Sequence, residues 1–174
     1  PNGILQGLLG YAYNCPDMIG GGEYANFTSQ RHHLDEELFV RYAQCAALFP
    51  MMQFSAAPWE VLTLQNAQYC RDMAYLHSEL GAYIVQLSNH AAKTGEPILR
   101  CMAYEFPYDD MECVTDQFML GDRYLAAPVV TKGQTWKKVK LPVGRWKWKG
   151  SVINGGRTMD IPAPLDTLIV LERL

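Results

Sequence analysis

The chain has 174 residues, of which 49% are hydrophobic and 19% are charged, so it has enough apolar material for one sizeable core or two small ones. Its net charge of -3 provides no basic field to hold phosphates, which argues against nucleic acid as a partner. Its apolar runs fall short of the roughly 20 residues that a membrane-spanning helix needs, so no membrane span is expected in this segment.

Short apolar runs in the first half of the chain predict strands. One covers 8–13 and is closed by Asn14, Pro16 and a run of glycines; another covers 51–54 and is closed by 55–58. Both end in residues that favour turns. Together with the helices described next, they predict the order strand, helix, strand, helix, which is typical of βα units on a parallel sheet.

Two helices are expected in the same half. The first covers 35–48, where apolar residues recur at three- and four-residue intervals and three acidic residues fall in the first turn, the position that the helix dipole favours. The second covers 66–94 and stops at Gly95. Its length predicts a break or bend near 77–81.

The pattern changes near Gly95, and the rest of the chain predicts an antiparallel β-sandwich. Short runs rich in β-branched and aromatic residues are separated by turns that contain glycine or proline. The expected strands cover 98–106, 124–130, 137–141, 145–147 and 167–171. This change of pattern predicts two structural regions that meet near residue 95.

Three residues of the first half are candidates for a functional site. Asp17 follows an apolar run and precedes a glycine-rich turn, so it either faces a ligand or holds the turn through its side chain. Ser55 has no G-x-S-x-G motif around it, which favours a turn residue over a nucleophile. Trp59 either offers a flat face to a sugar or packs between the two regions.

Two polar stretches have a plainer interpretation. His32 and His33 lie close to Asp35 and Glu36, but a solvated loop is the more common setting for such a cluster than a metal site. Between 136 and 149, lysines alternate with tryptophans. That mixture suggests a binding platform for carbohydrate or single-stranded nucleic acid, whereas a packed tryptophan face with a solvated lysine face is the usual arrangement.

Several longer motifs lie along the whole chain. The first half contains G-Y-A-Y-N-C-P-D-M-I-G-G from Gly10 and E-L-F-V-R-Y-A-Q from Glu37, and the second contains G-E-P-I-L-R from Gly95, D-Q-F-M-L-G-D from Asp116 and L-P-V-G-R-W from Leu141. In order and spacing they resemble the C-terminal part of glycoside hydrolase family 31, which includes α-glucosidases and α-galactosidase-like enzymes.

The resemblance implies an α/β plus all-β fold, with the final βα units of a (β/α)8 TIM barrel over 1–95 and an antiparallel β-sandwich domain over 96–174. It also implies a retaining α-glycosidase, whose two catalytic carboxyl groups stand about 5 to 5.5 Å apart. Both aspartates are expected upstream of this chain, so no catalytic residue is assigned here. The implied partners are a carbohydrate substrate and the upstream part of the same barrel, without a metal or cofactor.

The resemblance also assigns a substrate-binding role to Asp17, Gly21, Ser55 and Trp59. Glucose-cleaving members usually have an aromatic residue where this chain has Gly21, and Arg-x-His where it has 53–55. The F-S-x-x-P-W sequence of 54–59 is closer to the α-galactosidase-type branch, so galactose is favoured over glucose. The alternative is a non-catalytic carbohydrate-binding or interaction module from a degenerate member of the family.

Overall fold

The computed structural model describes residues 2–21 and 34–174, so His32 and His33 lie outside the described residues. The helices are α1 (Asn2–Leu8), α2 (Glu36–Ala46), α3 (Pro58–Val61), α4 (Leu64–Thr94) and α5 (Met102–Glu105). The strands are β1 (Leu99–Cys101), β2 (Phe118–Leu120), β3 (Tyr124–Ala126), β4 (Trp136–Leu141), β5 (Arg145–Trp148), β6 (Ser151–Asn154), β7 (Arg157–Pro162) and β8 (Val170–Arg173). In the part of the chain that is described, no helix is both long and apolar enough to cross a membrane.

Both predicted helices are confirmed. Asp35 caps α2, since its Oδ1 accepts a hydrogen bond of 3.1 Å from the backbone N–H of Leu38. Gly95 ends α4 in the left-handed conformation, with φ 77°. Of the break or bend predicted near 77–81, the break is wrong, because the helix runs unbroken past Gly81; one interior glycine costs a helix only about 1 kcal/mol.

The predicted strand over 8–13 is wrong. The chain forms α1 up to Leu8, and Leu9 and Tyr11 are exposed. A strand forms only where another strand satisfies its backbone groups, and none among the described residues pairs with this run. Of the second predicted strand, only Phe54 pairs, in a single parallel bridge with Ile19.

An antiparallel sheet of six strands, in the order β1-β2-β3-β8-β5-β6, forms the centre of the described structure. Its side chains alternate between two packed faces, as the period of two in a strand requires. In β2, Phe118 and Leu120 point to one face and Met119 to the other. Strands β2, β6 and β7 were not predicted, because they are short or carry few apolar residues.

One face of this sheet packs against the ribbon that β4 and β7 form, which confirms the predicted antiparallel sandwich. The shared core contains Met119, Leu125 and Trp146 from the sheet and Val139 and Ile161 from the ribbon. The indole N–H of Trp146 donates to the carbonyl oxygen of Pro142 at 3.0 Å, so its one polar group is satisfied inside the core.

The other face of the sheet packs against α4. Leu80, Ile84 and Leu87, one turn apart on α4, contact a core that includes Phe118 and Leu120. The described residues therefore form helices, a central sheet and a ribbon in layers. These residues contain no (β/α)8 barrel. Their strands pair antiparallel, and a parallel pairing occurs in the bridge between Ile19 and Phe54.

The expected separation of tryptophans from lysines holds in β5 but is wrong in β4. In β5, Trp146 is buried and Lys147 is exposed. In β4, Trp136 is 55% exposed, whereas Lys137 is 3% exposed and forms an ion pair with Asp116. The register of the ribbon decides which side chains of β4 face the core, and it places Lys137 opposite the buried Ile161. The carboxylate partner makes the buried ammonium tolerable.

Candidate functional site

Two loop segments that are distant in sequence lie side by side. The backbone N–H of Ile19 donates to the carbonyl oxygen of Gln53 at 2.8 Å, and the N–H of Ser55 donates to the carbonyl oxygen of Ile19 at 2.9 Å. This pairing brings the segment around Asp17 and Gly21 next to the segment around Ser55. Three of the four predicted site residues therefore lie on adjoining backbone.

Asp17 stabilises its turn and leaves its side chain exposed. It takes a positive φ of 83°, and its Oδ1 accepts from the N–H of Met18 at 2.8 Å, so it stabilises the turn. Its side chain is also exposed, and among the described residues its second carboxylate oxygen has no hydrogen-bond partner. A ligand can reach that oxygen without breaking the turn.

Helix α2 packs against the Asp17 segment. Ile19 is fully buried, and the ring of Phe39 lies so close to Gly20 that an added Cβ would be 2.2 Å from its Cε2. Phe39 also stacks on Phe54, with ring centroids 6.2 Å apart. The two segments thus share one aromatic support, which fixes their separation.

Tyr42, also on α2, holds the residue before Asp17. Its hydroxyl donates to the carbonyl oxygen of Pro16. Burial raises the pKa of Tyr42, and the negative charge of Asp17 raises it further, so the phenol stays protonated and remains a donor at neutral pH.

Gly21 and Ser55 both form hydrogen bonds within the paired segments. The N–H of Gly21 donates to the carbonyl oxygen of Met18 at 2.9 Å, and a Cβ on Gly21 would lie 2.8 Å from that oxygen. An aromatic residue at this position would therefore need a different turn. The hydroxyl of Ser55 donates to the carbonyl oxygen of Ile19 at 3.2 Å, as expected of a turn serine.

Trp59 lies apart from the other three residues. It is 74% exposed and lines a cleft of about 610 Å³ between α3 and the start of α4, together with Phe54, Pro58 and Arg71. Asp17, Gly21 and Ser55 do not line this cleft. Its exposed ring is therefore not packed between the described parts of the two regions.

Sequence reasoning missed Arg41 and Gln44, which tie α2 to the β-rich half. Arg41 is 7% exposed, and its guanidinium donates to four backbone carbonyl oxygens of the β-rich half. Gln44 donates to the carbonyl oxygen of Leu165 at 2.6 Å. Their spacing of three puts both on one face of the helix, but it does not reveal that this face is buried.

Comparison with known proteins places this architecture. Residues 95–173 match the family model described as the glycosyl hydrolase family 31 C-terminal domain. The chain is 33% identical over 174 residues to the myogenesis-regulating glycosidase of Mus musculus, covering 95% of this chain and 24% of that protein. It is 31% identical to the SITS-binding protein of Tetronarce californica, covering 99% of this chain and 25% of that protein. The chain thus spans about a quarter of the length of these curated relatives.

Solved structures agree with these matches. The chain superimposes on a GH31 α-xylosidase from a soil metagenome, complexed with xylose, with a TM-score of 0.86 at 25% identity, covering 98% of this chain and 29% of that one. It superimposes on the cycloalternan-forming enzyme from Listeria monocytogenes, in complex with a pentasaccharide substrate, with a TM-score of 0.87 at 30% identity, covering 98% of this chain and 17% of that one. Both similarities extend over the helical and the β-rich halves.

Proposed function

The chain belongs to glycoside hydrolase family 31 and matches the C-terminal part of its members, and on that premise we propose that the protein is an α-glycosidase. Its substrate is a terminal α-linked hexose, which it removes by hydrolysis of the O-glycosyl bond with retention of configuration. Relatives named α-glucosidase, from Saccharolobus solfataricus and Bacillus thermoamyloliquefaciens, support an α-linked substrate. The carbohydrate substrate is the partner of this site.

The pairing of 17–21 with 53–55 carries the proposal. It presents an exposed carboxylate, Asp17, on a turn that buried Ile19 and Phe39 hold in place. A carboxylate with a free oxygen accepts hydrogen bonds from sugar hydroxyls, and these are stronger than bonds between neutral groups. In this proposal, Asp17 binds the terminal sugar, and Gly21 and Ser55 form the adjoining wall.

The same segments favour galactose over glucose. Neither the aromatic side chain nor the histidine that glucose-cleaving members usually carry is present at Gly21 and 53–55. Ser55 is short, and its hydroxyl already binds Ile19, so it does not replace an imidazole that reaches a hydroxyl. Trp59, exposed beside Phe54, supplies an aromatic face for a sugar unit farther along the substrate.

The chain is proposed to act together with the upstream part of its own barrel. In this arrangement 1–95 forms the C-terminal portion of a catalytic (β/α)8 barrel and 96–174 a β-sandwich that supports it, and both catalytic aspartates belong to preceding strands. The parallel bridge between Ile19 and Phe54 supports the assignment, as does the similarity of nearly the whole chain to a family α-xylosidase. No residue described here is assigned as nucleophile or acid.

Hydrolysis by the full-length protein tests the proposal. p-Nitrophenyl α-galactoside, α-glucoside and β-galactoside are compared, and the anomer first released is identified by proton NMR. We expect turnover of the α-galactoside, slower turnover of the α-glucoside, none of the β-galactoside, and an α-anomeric product. A β-anomeric product would refute retention, and faster cleavage of the α-glucoside would refute the preference for galactose.

An alternative function remains beside hydrolysis, and one relative, the SITS-binding protein, is named for binding rather than for hydrolysis. In that case the chain belongs to a non-catalytic carbohydrate-binding or interaction module. The same assays separate the two functions, because a module of this kind binds oligosaccharides without releasing sugar from any α-glycoside.

A further inference from the structure

The loop between α5 and β2 holds an unusually exposed aromatic residue. Tyr108 is 95% exposed, although the loop that carries it is tied down at the next two residues. The Oδ2 of Asp109 accepts from the backbone N–H of Val143 at 2.7 Å, and the ammonium of Lys140 donates to the carbonyl oxygen of Asp110. The backbone that carries the ring is thus fixed, which lowers the entropic cost of binding a ligand there.

A polar cleft of about 440 Å³ adjoins this ring. Tyr108, Asp110, Arg157 and Thr158 are among the residues that line it. The carboxylate of Asp110, the guanidinium of Arg157 and the hydroxyl of Thr158 make no hydrogen bond to any of the described residues. An aromatic face therefore stands beside donors and acceptors that are free for a ligand.

The charges around the cleft favour a neutral ligand. Asp109 and Asp110 balance Lys140 and Arg157, so neither an anion nor a cation gains a net attraction. A ligand with an apolar face and many hydroxyl groups suits the site, since sugar C–H groups pack on an aromatic ring while hydroxyls bond to carboxylate and guanidinium. An oligosaccharide has both features.

We propose that this cleft on the β-sandwich is an accessory binding site for oligosaccharides, separate from the site around Asp17. It shares no residue with the paired segments 17–21 and 53–55, so substitutions in the cleft leave the residues of the proposed sugar site unchanged. The choice of α-linked sugars as ligand rests on the proposed function, whereas the site itself rests on the geometry around Tyr108.

Affinity electrophoresis of the full-length protein in gels that contain galactomannan or dextran tests the site. We expect the wild type to be retarded by at least one of the two. Tyr108→Ala removes the ring and should weaken binding about tenfold, the usual loss for an aromatic residue at the centre of a binding site. Tyr108→Phe keeps the ring and should keep binding, and Arg157→Gln should weaken it.

Tyr75→Ala is the matched control, because Tyr75 is also an exposed tyrosine but lies on α4, outside the cleft. All variants should melt like the wild type and cleave p-nitrophenyl glycosides at the wild-type rate. Three results would overturn the proposal: no retardation of the wild type, retardation of Tyr108→Ala equal to that of the wild type, or an equal loss of retardation in Tyr75→Ala. So would a dimer that Tyr108→Ala dissociates, because the ring would then bind protein.

The result also separates this site from the proposed function. If the protein releases no sugar but its retardation depends on Tyr108, the accessory site is supported and the proposed glycosidase activity is refuted. If the protein hydrolyses the α-galactoside but its retardation does not depend on Tyr108, the glycosidase activity is supported and the accessory site is refuted.

Discussion

The Nη2 of Arg41 donates a hydrogen bond of 2.7 Å to the carbonyl oxygen of Ala163, which lies 122 residues later in the chain. The same guanidinium donates to the carbonyl oxygens of Gln134, Pro164 and Thr167. Burial lowers the pKa of Arg41, while the charges of Glu37 and Asp166 raise it, and an arginine stays charged under any of these influences. A buried cation thus joins α2, which supports the Asp17 segment, to the β-rich half.

Removal of this cation should destabilise the protein strongly. Arg41→Ala leaves buried carbonyl oxygens without donors, and each such group costs about 1 to 3 kcal/mol. We expect a loss of about 2 to 4 kcal/mol in unfolding free energy, measured as a lower thermal midpoint. The thermal midpoint of Arg41→Lys should lie between those of the wild type and Arg41→Ala, because an ammonium has three donors and cannot span the same set of oxygens.

Arg145→Ala is the control for that measurement, since Arg145 is exposed on β5. It should melt like the wild type. Equal midpoints for the Arg41→Ala and Arg145→Ala variants would show that the bonds of Arg41 contribute nothing net to stability.

Two glycine-to-alanine substitutions should have opposite effects. Gly20 has φ 77°, and a Cβ there would lie 2.2 Å from the ring of Phe39, so Gly20→Ala should cost about 1 to 3 kcal/mol through backbone strain and overpacking. Gly81 lies inside α4 with nothing within 4 Å of an added Cβ. Gly81→Ala should therefore stabilise the protein by about 0.5 to 1 kcal/mol.

Thermal unfolding of the two variants and the wild type under one condition provides the check. Midpoints on opposite sides of the wild type are expected. A Gly20→Ala variant as stable as the wild type would mean that the Asp17 segment moves away from Phe39 at little cost, which would contradict its role as a rigid support.

Local signals predicted the parts of this fold that local forces determine. The start of α2 near Asp35 and the stop of α4 at Gly95 depend on residues within one turn of the helix end, so the sequence was sufficient for both. The run over 8–13 depends on what lies beside it, and apolar content alone does not show that a run forms a strand. The phase of Trp136 and Lys137 likewise depends on the register with β7, which a single strand does not contain.

The site shows the same division. The turn at Asp17 followed from its glycine-rich context, but its contact with the Ser55 segment joins residues 36 apart and could be expected only from the family resemblance. Arg41 was missed because an arginine on an amphipathic helix normally faces solvent. Its burial depends on carbonyl oxygens more than 90 residues away, which no spacing within α2 reveals.

Alkaline pH should destabilise the protein through Cys70. Burial raises the pKa of its thiol from 9.0 to about 12, so the folded state keeps a proton that the unfolded chain releases. The stability that this provides is complete below pH 9 and is lost as the pH rises toward 12. Within that window, each pH unit should cost about 1.4 kcal/mol for this one group.

The comparison with Cys70→Ala isolates this effect, because tyrosines and lysines also titrate at high pH. The variant should be less stable than the wild type at pH 8, where it has lost buried volume. The difference between the two should shrink as the pH rises to 10.5. Parallel curves of unfolding free energy against pH would mean that the thiol is hydrated in the folded state and that its pKa is not raised.

The last prediction separates the two roles of Asp17. Asn tolerates a positive φ and keeps an oxygen that accepts from Met18 N–H, so Asp17→Asn should preserve the turn and the thermal midpoint. It removes the negative charge and therefore the charged hydrogen bond to a sugar hydroxyl. Without that bond the transition state is less stabilised, so kcat/KM on the α-galactoside should fall about a hundredfold. Asp17→Gly also permits the positive φ but removes both carboxylate oxygens, so it should be at least as inactive. If Asp17→Asn hydrolyses the substrate at the wild-type rate, Asp17 serves only the turn, and the sugar is bound elsewhere in the barrel.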